Sequence, residues 1–308
     1  MRIYRGLPQA ADQPVALTIG NFDGVHRGHQ AMLARLAEAA DDLRLPAAVM
    51  TFEPHPREFF APHAAPPRLT PLRDKLDALY AAGVARVHIA RFDAKLASLA
   101  PEAFIHDVLE RRIGARWVLV GDDFRFGSKR AGDLATLRAN SARFSVETMH
   151  TVEADGERIS SSGVRAALLA GDLERAARLL GRPYAITGRV GHGEKLGRRL
   201  GFPTANLPLR HVPPLSGVFA VRVRGLRGGA RDGVASLGVR PTVRAGGHPL
   251  LEVFILDFDE PIYGRRIGVE FLHKLRDEAR YPDLDTLRVK IGEDVARARD
   301  WFLAANAA

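Results

Sequence analysis

The sequence predicts an α/β protein of two domains: an N-terminal doubly wound parallel sheet and a C-terminal antiparallel β-barrel with a terminal helix. Three observations carry that expectation. Up to residue 182, short apolar runs alternate with amphipathic helical segments, the pattern of parallel strands covered on both faces. Beyond Gly181-Arg182-Pro183 the apolar runs follow one another with only glycine- or proline-rich turns between them, as in a small barrel. From Asp285 onward, Leu287, Ile291, Val295, Ala298 and Phe302 recur at helical spacing, which predicts one closing amphipathic helix. The expected domains are 1–182 and 183–308.

Taken in order, the expected strands of the first domain are 15–19, 47–52, 84–90, 117–120 and 146–152. The expected helices are 30–42, 71–82, 101–113 and 132–139. Thr70 before Pro71 reads as an N-cap with proline at the first helical position. The second domain offers strands at 186–190, 218–223, 233–239, 250–258 and 267–271.

Composition excludes several classes. The 308 residues are 46% hydrophobic and 26% charged, ordinary values for a globular protein. No run approaches the length of a membrane span, the start has no signal-like apolar core, and cysteine is absent. A cytoplasmic protein without membrane attachment is therefore expected. The net charge of +9 comes mostly from arginine in short clusters such as Arg111-Arg112 and Arg198-Arg199. With no reader motif, that charge points to phosphorylated small molecules rather than nucleic acid. Patterning identifies no obligate interface, so the oligomeric state stays open.

The first chemical constellation lies between the first expected strand and helix. The string Gly20-Asn21-Phe22-Asp23-Gly24-Val25-His26-Arg27-Gly28-His29 holds three glycines, one aspartate and two histidines. Unpaired amides at a helix start form an anion site, and glycines let a ligand approach the backbone. His26 and His29 can hydrogen-bond a polyphosphate and stabilise charge as it leaves. The string resembles the His-x-Gly-His signature of the nucleotidyltransferase superfamily. Ser160-Ser161-Ser162-Gly163-Val164-Arg165, later in the same domain, resembles that superfamily's Ser-Ser-Thr-x-x-Arg signature. The resemblance implies an ATP site formed by Gly20, Asn21, Phe22, Asp23, Gly24, His26, His29, Ser161, Ser162 and Arg165. Ser162 keeps the hydroxyl of the usual threonine. Gly163 stands where relatives often carry a basic residue, which puts the rate of the adenylyl step in question.

Two phenylalanine-bearing loops sit at expected strand ends, where open α/β sheets place ligands. One is Thr51-Phe52-Glu53-Pro54-His55-Pro56 with Phe59 and Phe60 beyond, and the other is Gly121-Asp122-Asp123-Phe124-Arg125-Phe126-Gly127. Each alone fits core packing as well as ligand binding. With the first motif they resemble the adenylyltransferase module of bacterial FAD synthetases. That likeness implies an FMN site at Phe59, Asp123, Phe124 and Phe126.

In the second half, Gly197-Arg198-Arg199-Leu200-Gly201-Phe202-Pro203-Thr204-Ala205-Asn206 combines a glycine loop with hydroxyl and amide oxygens on one side of an extended segment. It resembles the Pro-Thr-Ala-Asn motif of riboflavin kinases, and the likeness continues through Gly188-Arg189-Val190, Gly217-Val218-Phe219-Ala220, Gly238-Val239-Arg240-Pro241-Thr242, Leu251-Glu252-Val253-Phe254 and Leu275-Arg276-Asp277. It covers nearly all of residues 184–303. It implies an ATP site at Gly193, Gly197, Arg198, Gly201, Pro203, Thr204 and Asn206. Mg²⁺ would sit on Thr204 and Asn206, with Arg276 and Tyr281 in a loop over the flavin or the nucleotide, assigned here to the flavin. Glu252 is the implied base. Strand alternation alone does not separate that role from a surface residue, and Glu270 is the runner-up.

Together the resemblances imply a bifunctional riboflavin kinase and FMN adenylyltransferase. Its substrates and products would be riboflavin, FMN, FAD, ATP, ADP and pyrophosphate. Two alternatives stand beside it: a chain with one half silent, and a flavin- or ATP-sensing regulator without turnover. The regulator would be expected to lose Glu252, His26 or His29, and all three are present.

Overall fold

A computed structural model describes residues 1–154, 156–193, 196–239 and 249–307. The expected match at 240–242 lies outside the described residues. Contacts divide the chain into two compact units, Met1–Pro66 with Thr70–Ser161 and Pro67–Leu69 with Ser162–Ala308.

In the first unit the strands are β1 (Arg2–Arg5), β2 (Val15–Ile19), β3 (Ala47–Glu53), β4 (Arg86–Arg91), β5 (Ala115–Gly121) and β6 (Ser145–Met149). They form one parallel sheet in the order β1-β4-β3-β2-β5-β6. Every residue of β2 is buried, as a central strand covered on both faces must be. On one face, α1 (Arg27–Asp42) and α3 (Leu72–Ala81) contribute Leu33, Leu36, Leu76 and Leu79 to one apolar cluster. On the other, Phe104, Ile105, Val108 and Leu109 pack with Leu17, Val118 and Val120. The chain order reverses between β2 and β5, so the crevice outside their carboxyl ends is the natural ligand position. The smaller helices are α2 (Pro56–Phe60), α4 (Ala94–Ala97), α5 (Pro101–Ala103) and α6 (Leu134–Asn140), with a short hairpin of β7 (Glu153–Ala154) and β8 (Glu157–Arg158).

Three local expectations change. β1 supplies a sixth strand that its polar, exposed sequence did not announce. The helix expected over 101–113 winds as a π-helix from Phe104 to Ile113. Thr70 does not cap α3: Pro71 occupies the cap position and the helix begins at Leu72.

The second unit begins with α7 (Ser161–Leu169, from its second residue) and α8 (Leu173–Leu180). The apolar side of α8, made of Leu173, Ala176, Leu179 and Leu180, is buried. The two helices therefore group with the barrel, ahead of the residue-182 boundary drawn from sequence. The barrel comprises β9 (Ala185–Arg189), β10 (Thr204–Pro208), β11 (Gly217–Arg224), β12 (Arg231–Val239), β13 (Pro249–Ile255) and β14 (Arg266–Arg276), with α9 (Leu196–Arg199) between β9 and β10. The antiparallel order is β10-β13-β12-β11-β14-β9. A bridge between Gly191 and Asn206 links its two edges, with the Gly191 amide donating to the Asn206 carbonyl at 2.8 Å. Leu251, Val253 and Ile255 are buried while Leu250, Glu252 and Phe254 are only partly covered. The terminal helix α10 (Leu284–Ala307) lies over part of the second face, where Ala298 and Phe302 join Val218, Ala220 and Val234.

His88 of β4 is 2% exposed, stacks on Tyr4 at 4.6 Å, and has no hydrogen-bond partner on either ring nitrogen. Burial first, and the Arg86 charge second, lower its pKa to about 4. The unfolded chain, with an ordinary histidine near 6.5, binds the proton earlier, so stability is lost as pH falls from about 6.5 towards 4. At pH 5 the loss is about 2 kcal/mol relative to pH 7. His88→Phe, which keeps the stack, should show a smaller drop in urea midpoint between pH 7 and pH 5 than the unsubstituted chain. Equal drops would contradict this account.

Candidate active sites

The turn after β2 adopts backbone conformations that its sequence does not favour. Phe22 and Val25 have φ of 49° and 42°, values costly for any residue with a Cβ and most of all for β-branched valine. Packing fixes them: Phe22 is fully buried, Val25 nearly so, and both lie in the cluster shared with α1 and α3. Polar clamps complete the turn. The Thr70 amide donates to Asp23 Oδ1 at 3.1 Å, and Thr70 Oγ1 accepts from the Gly24 amide at 3.0 Å. Ser161 Oγ donates to the Asp23 carbonyl at 2.9 Å, and Thr51 Oγ1 to the Asn21 carbonyl at 3.2 Å. Thr70 is thus a clamp of this turn, a role its reading as a helix cap concealed.

His26 caps α1, its Nδ1 accepting from the His29 amide at 3.3 Å. The two imidazoles stack 3.7 Å apart at 16°. Gly28 lies under them, since a Cβ there would stand 3.2 Å from His26 Nδ1. Burial first, then the charges of His26 and Lys75, hold the His29 pKa well below the usual imidazole range. His29 Nδ1 has no hydrogen-bond partner. At neutral pH this is a neutral donor/acceptor at a helix N-terminus, suited to a phosphate oxygen.

The remaining residues expected in the first domain divide. Phe59 is exposed at the end of α2 and meets Phe60 and Phe92 edge-on at 5.2 and 5.6 Å. Phe126 is buried between Phe104 and Phe124, so it supports the partly exposed Phe124. Asp123 is exposed and ion-paired with Arg158 at 2.7 Å. Ser162 is exposed at the start of α7, and Arg165 Nε donates to the Pro67 carbonyl at 2.7 Å within the second unit.

In the barrel, register assembles the second site. Asn206, Glu252 and Ser236 stand directly opposite one another on β10, β13 and β12. Val218 and Arg276 continue the row on β11 and β14. Directly paired residues share a sheet face. A cavity of about 220 Å³ opens on that face, lined by Thr204, Ser236, Glu252, Arg276, Glu278 and Tyr281 and covered by Leu287 and Ile291 of α10. The outward alternation of Glu252 therefore leads into a cavity. Glu270 instead bonds Arg224.

The glycine loop closes around the row. A Cβ at Gly193 would stand 2.5 Å from Asn206 Oδ1, and one at Gly197 would be 3.2 Å from Thr204 Oγ1 and would collide with the Phe202 carbonyl. Gly201 has φ 88° and ends the α9 turn, ahead of Pro203, with Arg198 inside that turn. Arg276 is held by Asp294 through bonds of 2.6 and 2.9 Å and lies over the Tyr281 ring at 5.7 Å. The Asp294 bonds raise its pKa.

Sequence reasoning missed Ser236 and Glu278. The Glu278 carboxyl lies against Gly238. Its pKa is raised, first by loss of water and then by the Glu252 charge, while Arg276 and a hydrogen bond with Ser236 oppose the rise. Only the register of β12 against β13 reveals Ser236. Among the described residues no group of three or more His, Asp or Glu side chains forms a metal cage. Thr204 and Asn206 offer hard oxygen donors to a cation that also binds phosphate.

Family comparisons agree with both halves. Residues 8–163 match the model for FAD synthetase and residues 180–302 the model for riboflavin kinase. The chain belongs to the bifunctional riboflavin kinase/FMN adenylyltransferase family. A protein of that name from Haemophilus influenzae is 48% identical over 98% of this chain and 99% of its own length. Its namesake from Escherichia coli is 47% identical, with 98% of each chain covered. A solved structure from Streptococcus pneumoniae, described as a macrolide-efflux protein, shares a TM-score of 0.81 and 29% identity, covering 98% of this chain and 100% of that one. Among the described residues here, no helix is long and apolar enough to cross a membrane.

Gly193→Ala should displace the Asn206 amide and slow FMN formation from riboflavin about tenfold or more, an estimate based on the cost of misplacing one positioning group. FAD formation from supplied FMN should stay unchanged. Full kinase activity in this variant would contradict the loop packing described.

Proposed function

We propose that the chain makes FAD from riboflavin in two phosphorus-centred steps, with kinase chemistry in residues 183–308 and adenylyl transfer in residues 1–182. The observation that carries this reading is that Glu252 and Ser236, in register with Asn206 across three strands, open into one cavity with Thr204 and Arg276. It places a carboxylate beside oxygen donors suited to a phosphate-bound cation, the arrangement phosphoryl transfer needs.

In the first step Glu252 accepts the proton of the ribityl 5′-hydroxyl as that oxygen attacks the γ-phosphorus of ATP, giving FMN and ADP. Gly193, Gly197, Arg198, Gly201 and Pro203 shape the loop for the ATP phosphates. Thr204 and Asn206 would hold Mg²⁺, which supplies charge neutralisation on those phosphates when bound. Arg276, fixed by Asp294, and Tyr281 orient the flavin side of the cavity.

In the second step an FMN phosphate oxygen attacks the α-phosphorus of another ATP, and pyrophosphate leaves with the electrons of the broken bond. Gly20, Asn21, Phe22, Asp23 and Gly24 present backbone to the nucleotide, and His26 and His29 hydrogen-bond its phosphates. Ser161, Ser162 and Arg165 are assigned to the same nucleotide on their motif. Phe59, Asp123 and Phe124 take the FMN, with Phe126 as support. No covalent protein intermediate is needed, so catalysis is positional and electrostatic. The reading includes a cytoplasmic enzyme acting on small molecules, without nucleic-acid or membrane partners.

Riboflavin, ATP and Mg²⁺ should yield FMN and then FAD by chromatography. Glu252→Gln should abolish FMN formation and spare FAD formation from supplied FMN, while His29→Ala should do the reverse. Loss of both activities in either variant would overturn the two-site assignment.

A further inference from the structure

We infer that Glu278 sets which alcohol the barrel cavity accepts, its carboxyl receiving hydrogen bonds from the inner hydroxyls of the ribityl chain while the terminal hydroxyl reacts. The inference rests on the kinase reading above, with Glu252 as the base. Three observations lead to it.

The first is where the carboxyl sits. Glu278 follows β14 in an exposed segment, yet its carboxyl turns back onto the sheet, because a Cβ at Gly238 would collide with both of its oxygens. Gly238 and Ser236 are two residues apart on β12 and therefore share a face. Ser236 and Glu278 both line the cavity, and Ser236 stands directly opposite Glu252. Cross-strand partners are about 5 Å apart, and two residues along a strand span about 7 Å. The Glu278 carboxyl thus lies beyond the base at a distance that a short polyol chain covers.

The second is direction. In-line phosphoryl transfer places ATP and the carbon chain of the alcohol on opposite sides of the attacking oxygen. β13, which carries Glu252, runs between β10 and β12. The β10 side holds Thr204, Asn206 and the glycine loop packed against them, so the carbon chain is left the β12 side. There the polar wall is Ser236 and Glu278, since Arg276 is clasped by Asp294 and lies over Tyr281.

The third is hydrogen-bonding capacity. A carboxylate can accept about four hydrogen bonds, and the Ser236 hydroxyl supplies one. Loss of water raises the Glu278 pKa, opposed by the Arg276 charge and reinforced by the Glu252 charge. Hydroxyl donors on the substrate satisfy such a group, whereas a flavin without them leaves it short of partners. A purely structural alternative is concrete: Glu278 as a brace that holds residues 277–281 against β12.

The test uses the full chain and two constants of FMN formation, the KM for riboflavin and the inhibition constant of lumiflavin, which carries a methyl group in place of the ribityl chain. In Glu278→Ala the riboflavin KM should rise about tenfold, the loss of a hydrogen bond to a charged group. The lumiflavin constant should hold within about twofold. Gly238→Ala, which forces the same carboxyl off β12 without removing it, should shift the two constants in the same unequal way. Equal shifts in both constants are what a brace predicts and would overturn the inference, as would an unchanged riboflavin KM in Glu278→Ala. A folded Glu278→Ala chain that makes no FMN at all would overturn it too, because reading the substrate chain alters KM and spares turnover. If Glu278→Ala does not fold, Gly238→Ala decides by the same comparison. No FMN from the unsubstituted chain would instead defeat the kinase reading itself.

Discussion

The first unit depends on a turn that would not exist without its surroundings. Phe22 and Val25 hold positive φ, each at an expense of about 1–3 kcal/mol. Their burial against α1 and α3, with the Thr70, Ser161 and Thr51 hydrogen bonds, maintains that conformation. Its consequence is functional: the turn delivers His26 as the helix cap and stacks His29 on it, at the end of the central strand where the sheet order reverses. Elements as far apart in sequence as residues 23, 70 and 161 converge on this one turn.

The barrel meets an analogous demand through its closure. Asn206 is both the bridge to Gly191 and the first residue of the Asn206–Glu252–Ser236 row. Closing the sheet and aligning that row are therefore one event. The loop between β9 and β10 has to turn tightly over the Asn206 amide, and Gly193 and Gly197 leave room for that where any Cβ would intrude.

How far these features are legible in the sequence follows from their physical origin. The parallel strands were readable because central strands are continuous apolar runs, and α10 because its buried residues keep helical spacing. β1 was not, because an edge strand with exposed, charged residues carries no such pattern. β10 was seen only as an extended segment, since Pro203 and Pro208 bracket it and Thr204 and Asn206 interrupt its apolar pattern. Both histidines, Thr204, Asn206 and Glu252 could be proposed as site residues from local strings. Ser236, Glu278 and the clamp by Thr70 escaped because register and long-range packing, neither encoded locally, bring them into place. Phe126, expected beside the ligand from its loop, is buried against Phe104 and Phe124.

Both proposed steps use one chemistry, displacement at phosphorus, on unrelated scaffolds, with neutral hydrogen-bonding groups and a helix terminus in one and a carboxylate with oxygen donors in the other. The two differ in which phosphorus of ATP is attacked. Isotope tracing from riboflavin tests that difference most directly. With γ-labelled ATP, label should enter FMN and persist in FAD, whereas α-labelled ATP should label FAD and leave FMN unlabelled. Label from the α position in FMN, or FAD made from riboflavin without γ label, would contradict the account.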